Sequence, residues 1–507
     1  MNERFEMVAK TFQGLEGVLA DELSQMGAEQ VIQGRRMVSF EGDKEMLYRA
    51  NFCCRTALRV LKPFFKFHST DADDLYEQVK GYDWSQIMTV KTTFAIDVTA
   101  FGDEFSHSRF VTYRVKDAIA DYFMEHEGQR PSIRVTNPDI RLDVHINGDE
   151  VTLSLDSSGD PLFKRGWRVA QTDAPINEVL AAGILKLSGW DGQCDLIDPM
   201  CGSGTFVVEA ALMALNINPG VFRKQYAFQN WPDYDAELFS SIYNDDSQER
   251  EFNHKIYGYD IAHQAIAISK ANVKSAGVGK VVELAQRDIA DWEDAPSGAL
   301  IVTNPPYGER LKVTDMETLY NTLGNRLKNV FKGCNAWIIG YNKEHMDMIG
   351  LKSSVRYPLY NGALECELRE YVIFDGTYSD LRERGDHIRN EGFRASDRPS
   401  YRRQFREMRD DGRDGRGRHD RGERNERKER SDRSSERMSR PPRRSDSERR
   451  GFDRQDGERE RRPFRPRRDH DNYESRDKGP SLGADKEVPI IHGRRKSWKR
   501  RDLDEEK

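Results

Sequence analysis

A chain of 507 residues has room for two to four folded domains and a large core, yet only 37% of it is hydrophobic, and that shortfall is uneven. Residues 391–507 carry 38 Lys and Arg against 28 Asp and Glu, while residues 1–390 carry 42 against 58, so an acidic body bears a basic tail and the overall charge of −6 describes neither. Six scattered cysteines without a CxxC pair, an N-terminus without an apolar core and the lack of any apolar run near 18 residues argue against a disulfide framework, a metal site, a secretory signal and a membrane helix, and favour a reducing cytoplasm.

Residues 5–10 predict a short strand, and Leu15, Val18, Leu19 and Leu23 share one face of a helix over residues 15–26. Val31–Ile32 and Met37–Phe40 predict further strands, completing a small α+β domain over residues 1–65. A second α+β domain is expected over residues 66–160. In it, Phe94, Ile96 and Val98 alternate with polar residues, and Phe110, Val111, Arg114, Val115, Ala118, Ile119, Tyr122 and Phe123 keep helical spacing. Two alternating runs, Ile140 to Ile146 and Val151 to Leu155, flank Asn147-Gly148, which predicts a hairpin.

Strands and helices alternate over residues 161–380, with strands at Asp195–Asp198, Ile256–Tyr259, Val281–Ala285, Ala299–Thr303 and Ala336–Gly340. Repeated βα units imply a parallel sheet covered on both faces. An aromatic-rich stretch between Asn216 and Asn253 reads as an insertion that is either functional or disordered. Residues 381–507 are rich in Arg, Asp, Glu, Ser and Gly, and hold too few apolar residues to offset chain entropy, so disorder is expected there.

Four motifs in the α/β region carry chemistry. The run Asp198-Pro199-Met200-Cys201-Gly202-Ser203-Gly204-Thr205 leads from a strand into a helix. Gly202 and Gly204 let the backbone approach a ligand, and the helix start offers unpaired N–H groups, although the third glycine of a dinucleotide fingerprint is absent. Asp260 ends the next strand, where an acid either caps the following helix or accepts both hydroxyls of a ribose. Its place after a glycine loop favours the ribose. Asp288, beyond the third strand, either accepts from an adenine amino group or is an ordinary loop residue. Asn304-Pro305-Pro306-Tyr307 follows an apolar strand. Its two prolines fix the backbone and restrict the residue before them, making a stiff bracket that presents an amide, a carbonyl and a ring. Such a bracket at the end of a parallel strand predicts a catalytic element.

The glycine run and the bracket with its continuation Gly308-Glu309-Arg310 together resemble class I methyltransferases that modify exocyclic base nitrogens. More narrowly, the chain resembles the bacterial 23S ribosomal RNA guanine-N2 methyltransferases. Lys164-Arg165-Gly166-Trp167-Arg168, Ala174-Pro175-Ile176-Asn177-Glu178 and Leu359-Tyr360-Asn361-Gly362-Ala363-Leu364-Glu365-Cys366 support that likeness. The resemblance covers about residues 1–375. It implies a ferredoxin-like domain, a THUMP RNA-binding domain and a Rossmann-like methyltransferase domain that uses S-adenosylmethionine. Some relatives fuse a second methyltransferase domain at the C-terminus, and that second activity is expected to be missing here.

The resemblance also implies roles. Gly202 and Gly204 would pack on the methionine part of the cofactor, Asp260 would hold its ribose and Asp288 its adenine edge. Asp198 would either orient the cofactor's amino group or anchor the glycine loop. Asn304 and the Pro305 carbonyl would accept from the base amine, with Tyr307 stacked on the flipped base. Asn361-Gly362 is a weaker substrate contact, and a tight turn explains it equally well. Transfer RNA is the alternative substrate, and a non-catalytic ribosome-assembly factor is the alternative from another class. Phosphate binding needs positive charge, which the acidic body does not supply on average. Arg35, Arg36, Lys164, Arg165 and Arg168 are therefore expected to form local patches, and the tail, with Phe405, Phe452, Phe464 and Trp498 for stacking, either adds RNA affinity or, with 28 acids offsetting its bases, is a mixed-charge solvated segment.

Overall fold

The computed structural model describes residues 3–374 except 103, 106 and 307–312. The tail and Tyr307 lie outside the described residues.

The N-terminal half runs β1 (Phe5–Lys10), α1 (Glu16–Gln25), β2 (Glu29–Gly34), β3 (Met37–Gly42), α2 (Lys44–Cys53), β4 (Arg59–His68), α3 (Ala72–Lys80), β5 (Thr93–Phe101), α4 (Ser108–Glu127), β6 (Ser132–Ile133), β7 (Ile140–Asn147) and β8 (Glu150–Asp156). The two α+β units share one eight-stranded sheet, in the order β2-β3-β1-β4-β8-β7-β5-β6. The ten-residue β4 joins them: it pairs with β1 along one edge and with β8 along the other. Pro63 cannot donate to a ladder, and the register with β8 slips between Pro63 and Phe65. In the β7–β8 hairpin, Asn147 pairs with Glu150 as the last strand residue, so the turn is Gly148-Asp149, with Gly148 at φ +66°.

The second half runs α5 (Glu178–Leu187), β9 (Leu196–Asp198), α6 (Thr205–Ala214), α7 (Ala236–Tyr243), β10 (Ile256–Asp260), α8 (His263–Ala276), β11 (Val282–Gln286), β12 (Leu300–Thr303), α9 (Val313–Asn329), β13 (Asn335–Gly340), α10 (Lys343–Asp347), β14 (Val355–Asn361) and β15 (Leu364–Val372). Its sheet order is β11-β10-β9-β12-β13-β15-β14, parallel except for β15, which runs against both β13 and β14. Leu196, Leu300, Val302, Trp337 and Ile339 pack with α5, α6 and α8, whereas Ile197, Ile301, Ala336 and Ile338 pack with α9. Strands buried on both faces read as continuous apolar runs, as these do. From β9 the chain winds outward through β10 to β11, then returns to place β12 on the other side of β9. The order reverses between β9 and β12, and a crevice opens at the carboxyl ends of the strands beside such a point.

The aromatic insertion is ordered, and it packs on the N-terminal half. Phe228 stacks on Tyr48 at 4.4 Å and on Tyr226 at 5.1 Å, Phe239 meets Phe52 edge-on, and the Tyr48 hydroxyl accepts from the Asp235 N–H at 3.0 Å. Buried polar groups continue this seam. Arg55 donates to the carbonyl of Ile217 at 2.7 Å, Arg165 donates to the carbonyls of Leu162 and Arg55, and Glu209 accepts from Arg165 and from the Trp167 indole. Burial opposes ionisation of Glu22, but Lys186 and the Thr56 donors outweigh it and hold the carboxyl below its ordinary value.

Candidate active site

The carboxyl ends of four strands bring the predicted residues together. Asp198 closes β9, Asp260 closes β10, Asp288 lies just beyond β11 and Asn304 just beyond β12. Asp198, Gly202, Asp260, Asp288, Asn304 and Pro306 line one cavity of about 550 Å³, within the roughly 300–1,000 Å³ usual for small-molecule sites. Gly204 and Pro305 do not reach its wall. Gly204 sits behind it at φ +74°, as the residue preceding α6, where a Cβ would come within 3.0 Å of Ser269 Oγ. Pro305 is buried.

Each carboxylate is already engaged on one side. Asp260 accepts from the Gly202 N–H at 2.9 Å and from the Ala262 N–H at 2.9 Å, so it fixes the glycine turn and the approach to α8 while still lining the cavity. Asp288 accepts from the Ala290 N–H at 2.9 Å, the hydrogen bond of an ordinary helical-turn cap. Asp198 Oδ1 accepts from the Thr303 hydroxyl and the Met200 N–H, which ties the bracket strand to the glycine loop. Burial, with the Asp260 charge nearby, pushes the Asp198 carboxyl up to about 7 against those two donors. Asn304 differs from all three: its side-chain oxygen is buried and has no hydrogen-bond partner among the described residues. Buried acceptors are nearly always satisfied, so this oxygen keeps its capacity for a donor that a small side-chain rotation would bring within reach.

Several contributors carry no motif of their own. Thr172 N–H donates to Ser203 Oγ at 2.8 Å, and Asn272 accepts from the N–H groups of Val169 and Ala170 while donating to the carbonyls of Ala170 and Ser203. These bonds hold Thr172–Ile176 over the glycine turn as a rim. Asp315, Thr318, Leu319 and Thr322 of α9 also line the cavity. Helical periodicity marks α9 as amphipathic, but no local signal tells which polar positions face a ligand.

Of the basic residues expected to form local patches, Arg165 is buried and Arg168 half-buried. Arg165 is 2% exposed and spends its donors on Glu209 and on backbone carbonyls. Arg168 pairs with Glu178 at 2.7 Å and donates to Thr205. Both serve packing, whereas Arg35, Arg36 and Lys164 are exposed. Asn361 pairs with Leu364, so Gly362-Ala363 is a two-residue turn, with Gly362 at φ +65°. Among the described residues no helix is long and apolar enough to cross a membrane, and no group of three His, Cys, Asp or Glu side chains is placed to hold a metal ion.

The donor set fits a cationic nucleoside: three carboxylates, a glycine turn and apolar cover from Met200, Phe206, Ile261 and Leu319. Comparison with known proteins agrees with it. Residues 6–61 match the RlmL ferredoxin-like domain, 69–156 the THUMP domain and 165–370 the RMKL-like methyltransferase domain. The ribosomal RNA large subunit methyltransferase K/L of Syntrophotalea carbinolica is 40% identical over 386 residues, covering 74% of this chain and 54% of that protein. A Synechocystis protein with a provisional RNA methyltransferase name is 36% identical, covering 72% of this chain and 96% of its own length. The chain thus spans about half the length of several curated K/L relatives it matches. Among solved structures, a Clostridium difficile 630 protein described as a possible methylase is 29% identical at a TM-score of 0.67, covering 74% of this chain and all of that one. A methyltransferase complexed with SAH is 27% identical at a TM-score of 0.66, with the same coverage.

Proposed function

This chain belongs to the THUMP-bearing, RMKL-like methyltransferase family, and from that premise we propose that in the cytoplasm it transfers a methyl group from S-adenosylmethionine to the exocyclic N2 of a guanine in 23S ribosomal RNA. The single observation that carries the chemistry is the meeting of Asn304, Gly202 and the three carboxylates in the lining of one cavity, with the Asn304 oxygen free of a partner among the described residues. The THUMP match supports RNA over DNA, although a solved Listeria relative, 29% identical, is named a predicted N6-adenine-specific DNA methylase.

When bound, S-adenosylmethionine supplies a methyl group on a sulfonium, which is already a good leaving group. The obstacle is the nucleophile, because an aromatic amine delocalises its lone pair into the ring. Asn304 Oδ1 accepts an N–H of that amine and aims the lone pair across the cavity. By the resemblance, the Pro305 carbonyl would take the second N–H once the bracket turns it toward the cavity, and Tyr307, outside the described residues, would stack on the extruded base, contributing about 1–3 kcal/mol. Gly202 and the Asp198 carboxylate would hold the methionine end, with the carboxylate available to its ammonium. Asp260 holds the ribose, and Asp288 the adenine edge. Positioning and fixed dipoles do the work, and no strong base is needed because the amine proton becomes acidic as the methyl arrives.

Nucleoside mass spectrometry of ribosomal and transfer RNA, from cells with and without the gene, tests the assignment. Loss of one N2-methylguanosine from 23S RNA is the expected result. Loss from transfer RNA instead moves the substrate, and no lost methylation in either pool contradicts the proposal.

A further inference from the structure

Beside the candidate active site lies a larger cleft, of about 1240 Å³, that contains neither the glycine turn nor Asn304. One wall is the THUMP loop from Arg134 to Arg141, and the facing wall comes from the insertion, Phe222 to Ala227. Its floor is the segment Ser158–Arg168. Pro175 and Ile176 line this cleft and the methyl-transfer cavity alike, so the rim held by Asn272 and Ser203 separates the two spaces by the thickness of one strand of chain.

The charge of the cleft runs against the rest of the body. Residues 1–390 carry 58 acids and 42 bases, whereas the lining holds seven Arg and Lys against three Asp and Glu. The three acids are occupied: Asp139 accepts from Thr93, Asp160 pairs with Lys164, and Glu178 pairs with Arg168. Arg134 on the THUMP wall and Lys224 on the insertion wall are exposed and have no ion-pair partner among the described residues. The cleft therefore offers two unspent cations, one on each wall, to a polyanion.

We infer that this cleft is the channel for the RNA strand. Arg134 and Lys224 grip phosphates on either side, and the target nucleotide swings over the Pro175–Ile176 rim into the cavity. This rests on the RNA methyltransferase reading and deepens it by assigning the insertion a second task besides packing. Phosphate contacts fix register without reading sequence, so these two residues govern capture and not base choice.

The test uses the full chain. Binding of a fluorescein-labelled single-stranded oligoribonucleotide is followed by anisotropy across a potassium chloride series, and methyl transfer to 23S RNA is measured on the same preparations. Each single-strand phosphate contact contributes about −0.7 to the slope of log K against log salt. Arg134→Gln/Lys224→Gln is expected to flatten that slope by about 1.4, since two contacts are lost. It is expected to weaken binding at least tenfold and raise KM with kcat and cofactor affinity unchanged. Lys328→Gln, an exposed cation on α9 outside the lining, should behave as wild type. A double variant with wild-type slope, affinity and KM overturns the channel even if methyl transfer proceeds normally. A flattened slope with a wild-type chain that methylates no RNA keeps the channel and overturns the methyltransferase reading instead.

Discussion

A buried amide oxygen left unpaired costs a folded chain about 1–3 kcal/mol, and Asn304 bears that cost on the cavity wall. Asn304→Ala relieves the cost, so the variant should fold normally while losing the acceptor proposed to orient the amine. Removing one well-placed hydrogen-bonding group from a reacting centre costs on the order of 10²–10³ in kcat. The expected result is a fall of that size in single-turnover transfer, with cofactor affinity by calorimetry within about twofold of wild type. Equal damage to both would assign Asn304 to structure alone. Asp198 gives a pH test. Its carboxyl titrates near 7 in the free chain, and facing an ammonium requires the ionised form. Cofactor affinity should therefore be full above pH 7 and fall by up to tenfold per unit below it, with Asp198→Asn weaker and nearly flat. A wild-type chain whose affinity is flat from pH 5.5 to 8 would make Asp198 an anchor of the loop and nothing more.

At the scale of elements, what was legible was local. Alternation gave β5, β7 and β8, helical spacing gave α1 and α4, and the glycine run and the bracket fell at strand ends as predicted. Three features were not legible because their causes are distant in sequence. The fusion of the two N-terminal units depends on the lower half of β4 meeting β8 some 90 residues later. The insertion looked either functional or disordered, because its aromatic partners Tyr48 and Phe52 lie in α2. Arg165 and Arg168 looked like surface charge, because Glu209 and Glu178 are not their sequence neighbours. The seam around Glu209 has a measurable consequence. Glu209 is fully buried and accepts from Arg165 and Trp167, so Glu209→Ala strands a buried guanidinium and should lower stability by about 3–5 kcal/mol in urea unfolding. A loss under about 1 kcal/mol would mean that the seam is not a buried ion pair in solution.

For the whole molecule, the proposed RNA channel and the candidate methyl-transfer cavity lie on adjoining surfaces of one folded body. The N-terminal sheet carries one wall of the basic cleft, the insertion carries the other, and the topological switch of the second sheet carries the cavity beyond the rim. The average charge of the body concealed this, since bases concentrated in one cleft are diluted by acids elsewhere. The central claim is that the bracket after β12 directs a methyl group onto an exocyclic base nitrogen. Its most direct test incubates the purified chain with labelled S-adenosylmethionine and 23S RNA from cells lacking the gene, then identifies the labelled nucleoside by mass spectrometry. The account predicts label in N2-methylguanosine with the wild-type chain and almost none with Asn304→Ala. Label on a ring carbon or a ribose, or undiminished label with Asn304→Ala, would contradict it.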